Sequence, residues 1–141
     1  MVKRVLGSVF AAVLFAAIGF SSGAVAQGKW AQGAPMPTPR SEIVAAALDG
    51  LIYVVGGLTR QGGLTTFEAL DPATNTWIVL PPIPEARHHT AIAALDGRIY
   101  VTGGFGRSGF GRMLNTTWVY EPKSGQWSLA TPMPGDRASH A

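Results

Sequence analysis

"LDGLIYVVGG", residues 48–57, occurs a second time as "LDGRIYVTGG" at residues 95–104, 47 positions later. In both copies an Asp-Gly pair separates two apolar runs, and this is a strong short-range signal for a tight β-hairpin. A Gly-Gly pair then ends the second run. The stretch therefore predicts two antiparallel strands, and its return predicts a structural repeat.

Further markers keep the same register along the chain. A Pro turn before each later Trp recurs as Asp71-Pro and Glu121-Pro, and three extra residues lie between Gly104 and Glu121. Tryptophan and arginine also recur at spacings of 47 and 50, as Trp30, Trp77 and Trp127 and as Arg40, Arg87 and Arg137. We expect the tryptophans to pack between units.

Each unit predicts four short strands. The first is rich in alanine, the second in β-branched and aromatic residues, and the fourth carries the Trp. Four antiparallel strands at this period are typical of a propeller blade, with the alanine-rich strand innermost. The predicted ranges are Glu42–Leu48, Leu51–Val55, Thr66–Leu70 and the strand of Trp77, then His89–Leu95, Arg98–Thr102, Thr116–Tyr120 and the strand of Trp127.

The Gly-Gly pair, the Trp at a fixed offset and the Met-Pro-x-Pro-Arg run at 36–40, echoed at 133–137, resemble the Kelch repeat. The resemblance implies an all-β Kelch-type propeller over residues 27–141, with repeats at about 41–87 and 88–137. The family's His three positions after the Arg is present as His140, whereas Ile43 and Thr90 stand at the two matching positions.

Partial blades are predicted at both ends, as a fourth strand at Lys29–Gln32 and a beginning first strand at Arg137–Ala141. Two full blades do not close a ring. We therefore expect an incomplete propeller that belongs to a longer one, with self-association into a ring as the alternative.

The first 26 residues have a basic start, an apolar run and an Ala24-Val25-Ala26 end, which predict a secretory signal peptide. An uncleaved anchor is the alternative. Export to the periplasm or the medium is expected, with no membrane attachment after cleavage. Without Lys3 and Arg4, nine basic residues face eight acidic ones, so the charge gives no support for a nucleic-acid partner.

Residues 104–109 match the GxGxxG pattern of dinucleotide-binding loops. The following residues, 113–120, predict a strand, so the helix N-terminus that would hold a pyrophosphate is missing. We therefore interpret this stretch as a lengthened blade loop and expect no cofactor. The chain has no cysteine, and its three histidines show no metal-ligand spacing.

Strand alternation puts the Gly-Gly loops and the Pro-Arg loops at one end of the blades, where charges sum to net +3 against −2 at the other end. Arg40, Arg87 and Arg137 are fixed by the repeat, which favours a role in tying blades together. Arg60, Arg107 and Arg112 lie in variable loops and are better ligand candidates. The six candidate ligand-binding residues are Arg60, Arg107, Arg112, Arg87, His88 and His89.

No catalytic residue is assigned, although a general base at His88 or His89 is conceivable beside the more ordinary role of a hydrogen-bonding loop histidine. Two functions from different classes follow. The first is a non-catalytic exported module that binds a protein or an acidic glycan through the arginine loops. The alternative is part of an exported enzyme that acts on an acidic sugar, similar to the sialic-acid mutarotases.

Overall fold

Ten strands follow one another within residues 28–140, the part of the chain that this computed structural model describes. The predicted signal peptide lies outside the described residues. The strands are β1 Val44–Leu48, β2 Leu51–Val55, β3 Leu58–Thr59, β4 Gly62–Gly63, β5 Phe67–Asp71, β6 Thr76–Val79, β7 Ala91–Leu95, β8 Arg98–Thr102, β9 Thr117–Glu121 and β10 Gln126–Ala130.

Eight of these strands form two antiparallel four-stranded sheets, in the orders β1-β2-β5-β6 and β7-β8-β9-β10. We call them blade 1 and blade 2. Leu48 pairs with Leu51 and Leu95 pairs with Arg98, so each Asp-Gly pair is a two-residue hairpin turn. Both aspartates adopt positive φ, as such turns require. The predicted four-stranded blades are confirmed.

Several predicted strand ends are wrong. The first strands begin at Val44 and Ala91, two residues later than expected. Glu42 and His89 have φ values of 52° and 51°, a left-handed conformation that does not continue a strand. The third strands also begin one residue late, at Phe67 and Thr117.

The predicted partial strands at the two ends are likewise absent from the described residues. Lys29–Gln32 and 137–140 contain no strand, and the Trp30 side chain is fully exposed. A short hairpin of β3 and β4, which the sequence reasoning missed, projects from the Gly-Gly loop of blade 1.

The core lies between the two blades, with the innermost strands β1 and β7 as neighbours. The Phe67 ring of blade 1 contacts Tyr120 edge-to-face and Trp127 at a tilt, both in blade 2, at ring-centroid distances of 4.8 and 4.9 Å. Trp127 is partly buried against this core, which confirms the expected packing for that residue. The same expectation is wrong for Trp30, which is fully exposed, and Trp77 lies outside the core cluster. The fully or nearly fully buried members are Tyr53, Val55, Phe67, Ala69, Ile83, Ile99, Val101 and Tyr120.

Two linkers run along the blade faces and are fixed by the tryptophans. Trp77 Nε1 donates to the Ala34 carbonyl at 3.0 Å, and Trp127 Nε1 donates to the Pro81 carbonyl at 2.9 Å. Each linker ends at an arginine, Arg40 or Arg87, whose side chain donates to a Gly-Gly carbonyl of the blade that follows it. Within the described part of the chain, no helix is long and apolar enough to cross a membrane.

Candidate functional site

The Gly-Gly pairs bring the arginine linkers onto the loop end of each preceding blade. Gly57 N donates to the Arg87 carbonyl and Gly104 N to the Arg137 carbonyl, both at 2.9 Å. A Cβ atom on Gly103 would lie 2.5 Å from the Arg137 carbonyl oxygen. Only glycine permits this approach, and at φ of 63° only glycine is unstrained.

Arg87, one of the six candidate residues, is buried where the linker passes from Gly57 of blade 1 to Gly103 of blade 2. Its Nη2 donates to Glu85 Oε2 at 2.6 Å and to Thr116 Oγ1 at 3.0 Å, and its Nη1 donates to the Gly103 carbonyl at 3.2 Å. The side chain is 0% exposed. Burial lowers the pKa of Arg87, while the charge of Glu85 opposes that effect. The Arg87 side chain thus contacts residues of the linker and of blade 2, and it is not exposed at the surface.

Arg40 occupies the equivalent place in blade 1 with a different acid. Its Nη1 contacts Glu68 Oε2 at 2.7 Å, and Thr38 Oγ1 donates to Glu68 Oε1 at 2.7 Å. Thr38 corresponds to Glu85 by the repeat, and Glu68 on β5 corresponds to Trp118 on β9. The carboxylate that pairs with the repeated arginine therefore lies on a strand, as Glu68, in blade 1, and on the linker, as Glu85, in blade 2.

A cavity of about 340 Å³ opens beside the Thr38–Glu68 contact. In blade 2 the larger Glu85 and Trp118 side chains stand at the equivalent positions and contact each other at 3.4 Å. The lining residues of the blade 1 cavity are Pro37, Thr38, Thr65, Thr66, Phe67, Glu68, Val79, Leu80 and Pro82.

Arg60, Arg107 and Arg112 are exposed and lie on two loops that contact each other. Arg60 is at the tip of the β3–β4 hairpin, and Gly63 N of that hairpin donates to the Arg107 carbonyl at 3.0 Å. Gly106 N donates to the Arg112 carbonyl at 3.3 Å, which closes the second loop. Among residues 28–140, no carboxylate forms an ion pair with any of these three arginines.

His88 and His89 lie beneath this second loop. His88 is fully buried, and its Nδ1 is 2.7 Å from His89 Nδ1. His88 Nε2 contacts the Gly109 carbonyl at 3.2 Å, and His89 Nε2 contacts Glu42 Oε2 at 3.0 Å. The rings of Phe105 and Phe110 pack against both histidines at centroid distances of 5.3–5.9 Å.

Glu42, Phe105 and Phe110 are members of this site that the sequence reasoning missed. One sequence signal for Glu42 was available, because it stands 47 positions before His89. Their shared left-handed conformation is visible only in the structure. The described residues contain no group of three or more His, Cys, Asp or Glu side chains arranged to hold a metal ion. The site thus offers exposed guanidinium groups on loops above the buried His88 and the partly exposed His89.

Comparisons with known proteins agree with this architecture. A family model described as the KLHDC2/KLHL20/DRC7 Kelch-repeats domain matches residues 20–141. Kelch-like protein 41a of Danio rerio is 43% identical over 53 residues, which are 38% of this chain and 9% of that protein. An F-box/kelch-repeat protein of Arabidopsis thaliana is 41% identical over 49 residues, which are 35% of this chain and 13% of that protein.

Among solved structures, the structure of YjhT is similar with a TM-score of 0.71 and 23% sequence identity. The match covers 78% of this chain and 43% of the YjhT chain. At this identity the likeness is one of fold. The chain spans less than half of YjhT and about a tenth of each curated relative.

Proposed function

This chain belongs to the Kelch-repeat family, and we propose that it is an exported interaction module that binds an acidic segment of a partner protein through Arg60, Arg107 and Arg112. Kelch-repeat domains generally bind proteins, which supports the interaction role. The acidic character of the partner is inferred from the chemistry of the two loops.

One observation carries the proposal: three exposed guanidinium groups on two contacting loops have no carboxylate partner among the described residues. Two acids at this end of the blades are already engaged, since Glu85 is bound to Arg87 and Glu42 contacts His89. Guanidinium groups bind carboxylates in a planar, two-point geometry, so an acidic peptide or an acidic glycan suits this surface.

The test is a binding measurement with the full chain and a fluorescent polyglutamate peptide. Changing Arg60, Arg107 and Arg112 together to Ala is expected to weaken binding by about tenfold or more, as expected for the loss of several charge-assisted contacts. Binding by the unchanged protein is also expected to weaken at about 0.5 M salt, because exposed charges are screened.

The matched control changes Arg98 and Lys123 to Ala, which removes exposed cations at the opposite end of blade 2. This variant is expected to bind the peptide as the unchanged protein does. Equal binding by the triple variant and the unchanged protein would rule out the arginine loops. Binding to polygalacturonate but not to polyglutamate would assign the same loops to an acidic glycan.

A second candidate function is the acidic-sugar enzyme, and one observation favours it: Glu42, His89 and His88 form a chain of acid–base groups on the loop side. The Glu42 side chain is 45% exposed and the His89 side chain is 18% exposed, so a substrate can reach this chain at these two residues and not at His88. The test is NMR measurement of anomer interconversion of N-acetylneuraminic acid. The enzyme function predicts a faster rate with the protein, and loss of that acceleration in His89→Ala.

A further inference from the structure

The His88–His89 contact connects the body of the protein to the loop that carries Arg107 and Arg112. His88 is anchored by two backbone hydrogen bonds with Phe105, at 2.9 and 3.1 Å. Its ring reaches the Gly109 carbonyl in the middle of the loop, and the exposed Phe110 ring rests on both imidazoles. The loop is therefore held to the blade through His88, in addition to the hydrogen bond that Gly63 of the β3–β4 hairpin donates to the Arg107 carbonyl.

The hydrogen-bond partners of His88 and His89 determine how many protons the two imidazole rings carry. A carbonyl and a carboxylate only accept, so His88 Nε2 donates to Gly109, and His89 Nε2 needs a proton to donate to Glu42. Between the two Nδ1 atoms, 2.7 Å apart, one donates and one accepts. Two neutral rings satisfy both buried contacts, with protons on His88 Nε2 and His89 Nδ1.

A third proton, on His89 Nε2, adds the bond to Glu42 at the exposed side of the pair. A fourth proton has only His88 Nδ1 left to occupy. That places two N–H groups face to face at 2.7 Å and breaks the central contact. With two or three protons, both the central contact and the bond to Gly109 can form. With four, His88 Nε2 still carries a proton, but the central contact is lost and two charged rings face each other beneath the loop.

We propose that the His88–His89 pair is an acid-release latch, which holds the loop at residues 106–112 near neutral pH and frees it when both rings carry a charge. The latch itself stands on the geometry above. Its consequence for ligand binding rests on the proposed function, because release would disorder Arg107 and Arg112 and so reduce their preorganisation for an acidic partner.

The groups around His88 determine the direction of the pH dependence. Burial, the largest effect, lowers the pKa of His88, and the charge of His89 lowers it further, while the Gly109 carbonyl and Glu42 oppose these effects. The other packed elements present Phe105, Phe110 and Gly63 to the ring. Arg60 and Arg107 belong to the same two loops and are exposed.

Because the folded pKa lies below the unfolded one, the stabilisation by His88 is complete above the ordinary histidine pKa. It is lost as the pH falls through the lowered value. Acid therefore opens the latch.

The chain has no cysteine, so one nitroxide label can be placed through Ser108→Cys in the loop, with Lys123→Cys as the control position on the opposite turn. The measurement is label mobility by electron paramagnetic resonance without any ligand. We expect the Ser108 label to move slowly at pH 7.5 and several-fold faster at about pH 4.5, a range that spans histidine protonation. The control label should not change.

Two substitutions separate latching from general stability. His88→Leu removes the donor to Gly109 and is expected to free the label at pH 7.5. His88→Gln keeps an N–H donor that does not titrate, and is expected to restore slow motion at both pH values. Slow motion in His88→Leu, or no pH change in the unchanged protein, would overturn the latch.

A control label that also becomes mobile in acid would mean that the whole domain unfolds, and would likewise overturn a local latch. Because no ligand is present, the latch result is independent of the polyglutamate measurement. A negative result for the latch would not contradict the proposed peptide binding, and a negative binding result would not contradict the latch.

Discussion

Thr90 shows how a single residue can replace another at a repeated position. The family's typical His stands at the third equivalent position, His140, but position 90 holds a threonine. Thr90 is 2% exposed, and its hydroxyl donates to the Thr102 carbonyl at 2.7 Å and lies 3.1 Å from the Gly103 carbonyl. A short hydroxyl thus satisfies the backbone at the Gly-Gly junction.

The close contact between the Gly-Gly pair of blade 1 and the Arg87 carbonyl gives the first stability prediction. Gly56→Ala places a Cβ against the Arg87 carbonyl at φ of 63°, so we expect a loss of about 2 kcal/mol or more in the free energy of unfolding by urea. Gly97→Ala has positive φ but open space, and should cost about 1 kcal/mol. Equal losses for both would contradict the role assigned to the close approach.

The buried and exposed ion pairs give the second prediction. Glu68→Ala leaves the Arg40 guanidinium buried without its carboxylate, which should cost about 3 kcal/mol in the free energy of unfolding. Arg98→Ala removes an exposed pair with Glu121, which solvent screens, and should cost much less. A Glu68→Ala protein as stable as Arg98→Ala would show that Arg40 does not depend on this acid.

At the scale of elements, equivalent strands carry out different tasks. Trp127 of β10 packs against the core, whereas Trp77 of β6 lies outside the core cluster and donates a hydrogen bond to a linker. We therefore expect Trp127→Ala to cost about 3–5 kcal/mol in the free energy of unfolding, and Trp77→Ala to cost clearly less. Chemical unfolding followed by circular dichroism measures both. The reverse order would contradict the core position of Trp127.

The repeated strands were predictable because each is set by local signals. β2 and β8 have the bounds predicted from the apolar run between Asp-Gly and Gly-Gly. β1 and β7 start late because positive φ at Glu42 and His89 is decided by tertiary contacts, which have no signal in residue type. The β3–β4 hairpin was missed because Gly62 and Gly63 have the composition of a turn.

The candidate site was predictable only in its outline. Exposure of Arg60, Arg107 and Arg112 agrees with their placement in variable loops. The burial of Arg87 and His88 depends on contacts with Thr116 and Gly109, which are 29 and 21 residues away. Such long-range contacts cannot be read from a single sequence without homologues.

At the scale of the whole molecule, the two blades share one core and are expected to unfold together. Unfolding by urea should give the same midpoint by tryptophan fluorescence and by circular dichroism. Phe67→Ala should lower both midpoints together, at a cost of about 3–5 kcal/mol, because its ring joins the blades. Val79→Ala, at a 76% exposed position, is the control and should change stability by less than about 0.5 kcal/mol. Two separate transitions would contradict a shared core.

The acid that pairs with the repeated arginine stands at different positions in the two blades, and this limits how the blades can be recombined. A chimera that joins the linker with Glu85 to the blade with Glu68 would place two acids beside one guanidinium. The reciprocal chimera would join Thr38 to Trp118 and leave the guanidinium with none. A linker and the third main strand of its blade therefore have to be inherited as one unit, although Thr38 and Glu68 lie 30 positions apart in the chain, and Glu85 and Trp118 lie 33 positions apart. The natural cut for exchanging blades lies before the linker, not between the linker and the first strand.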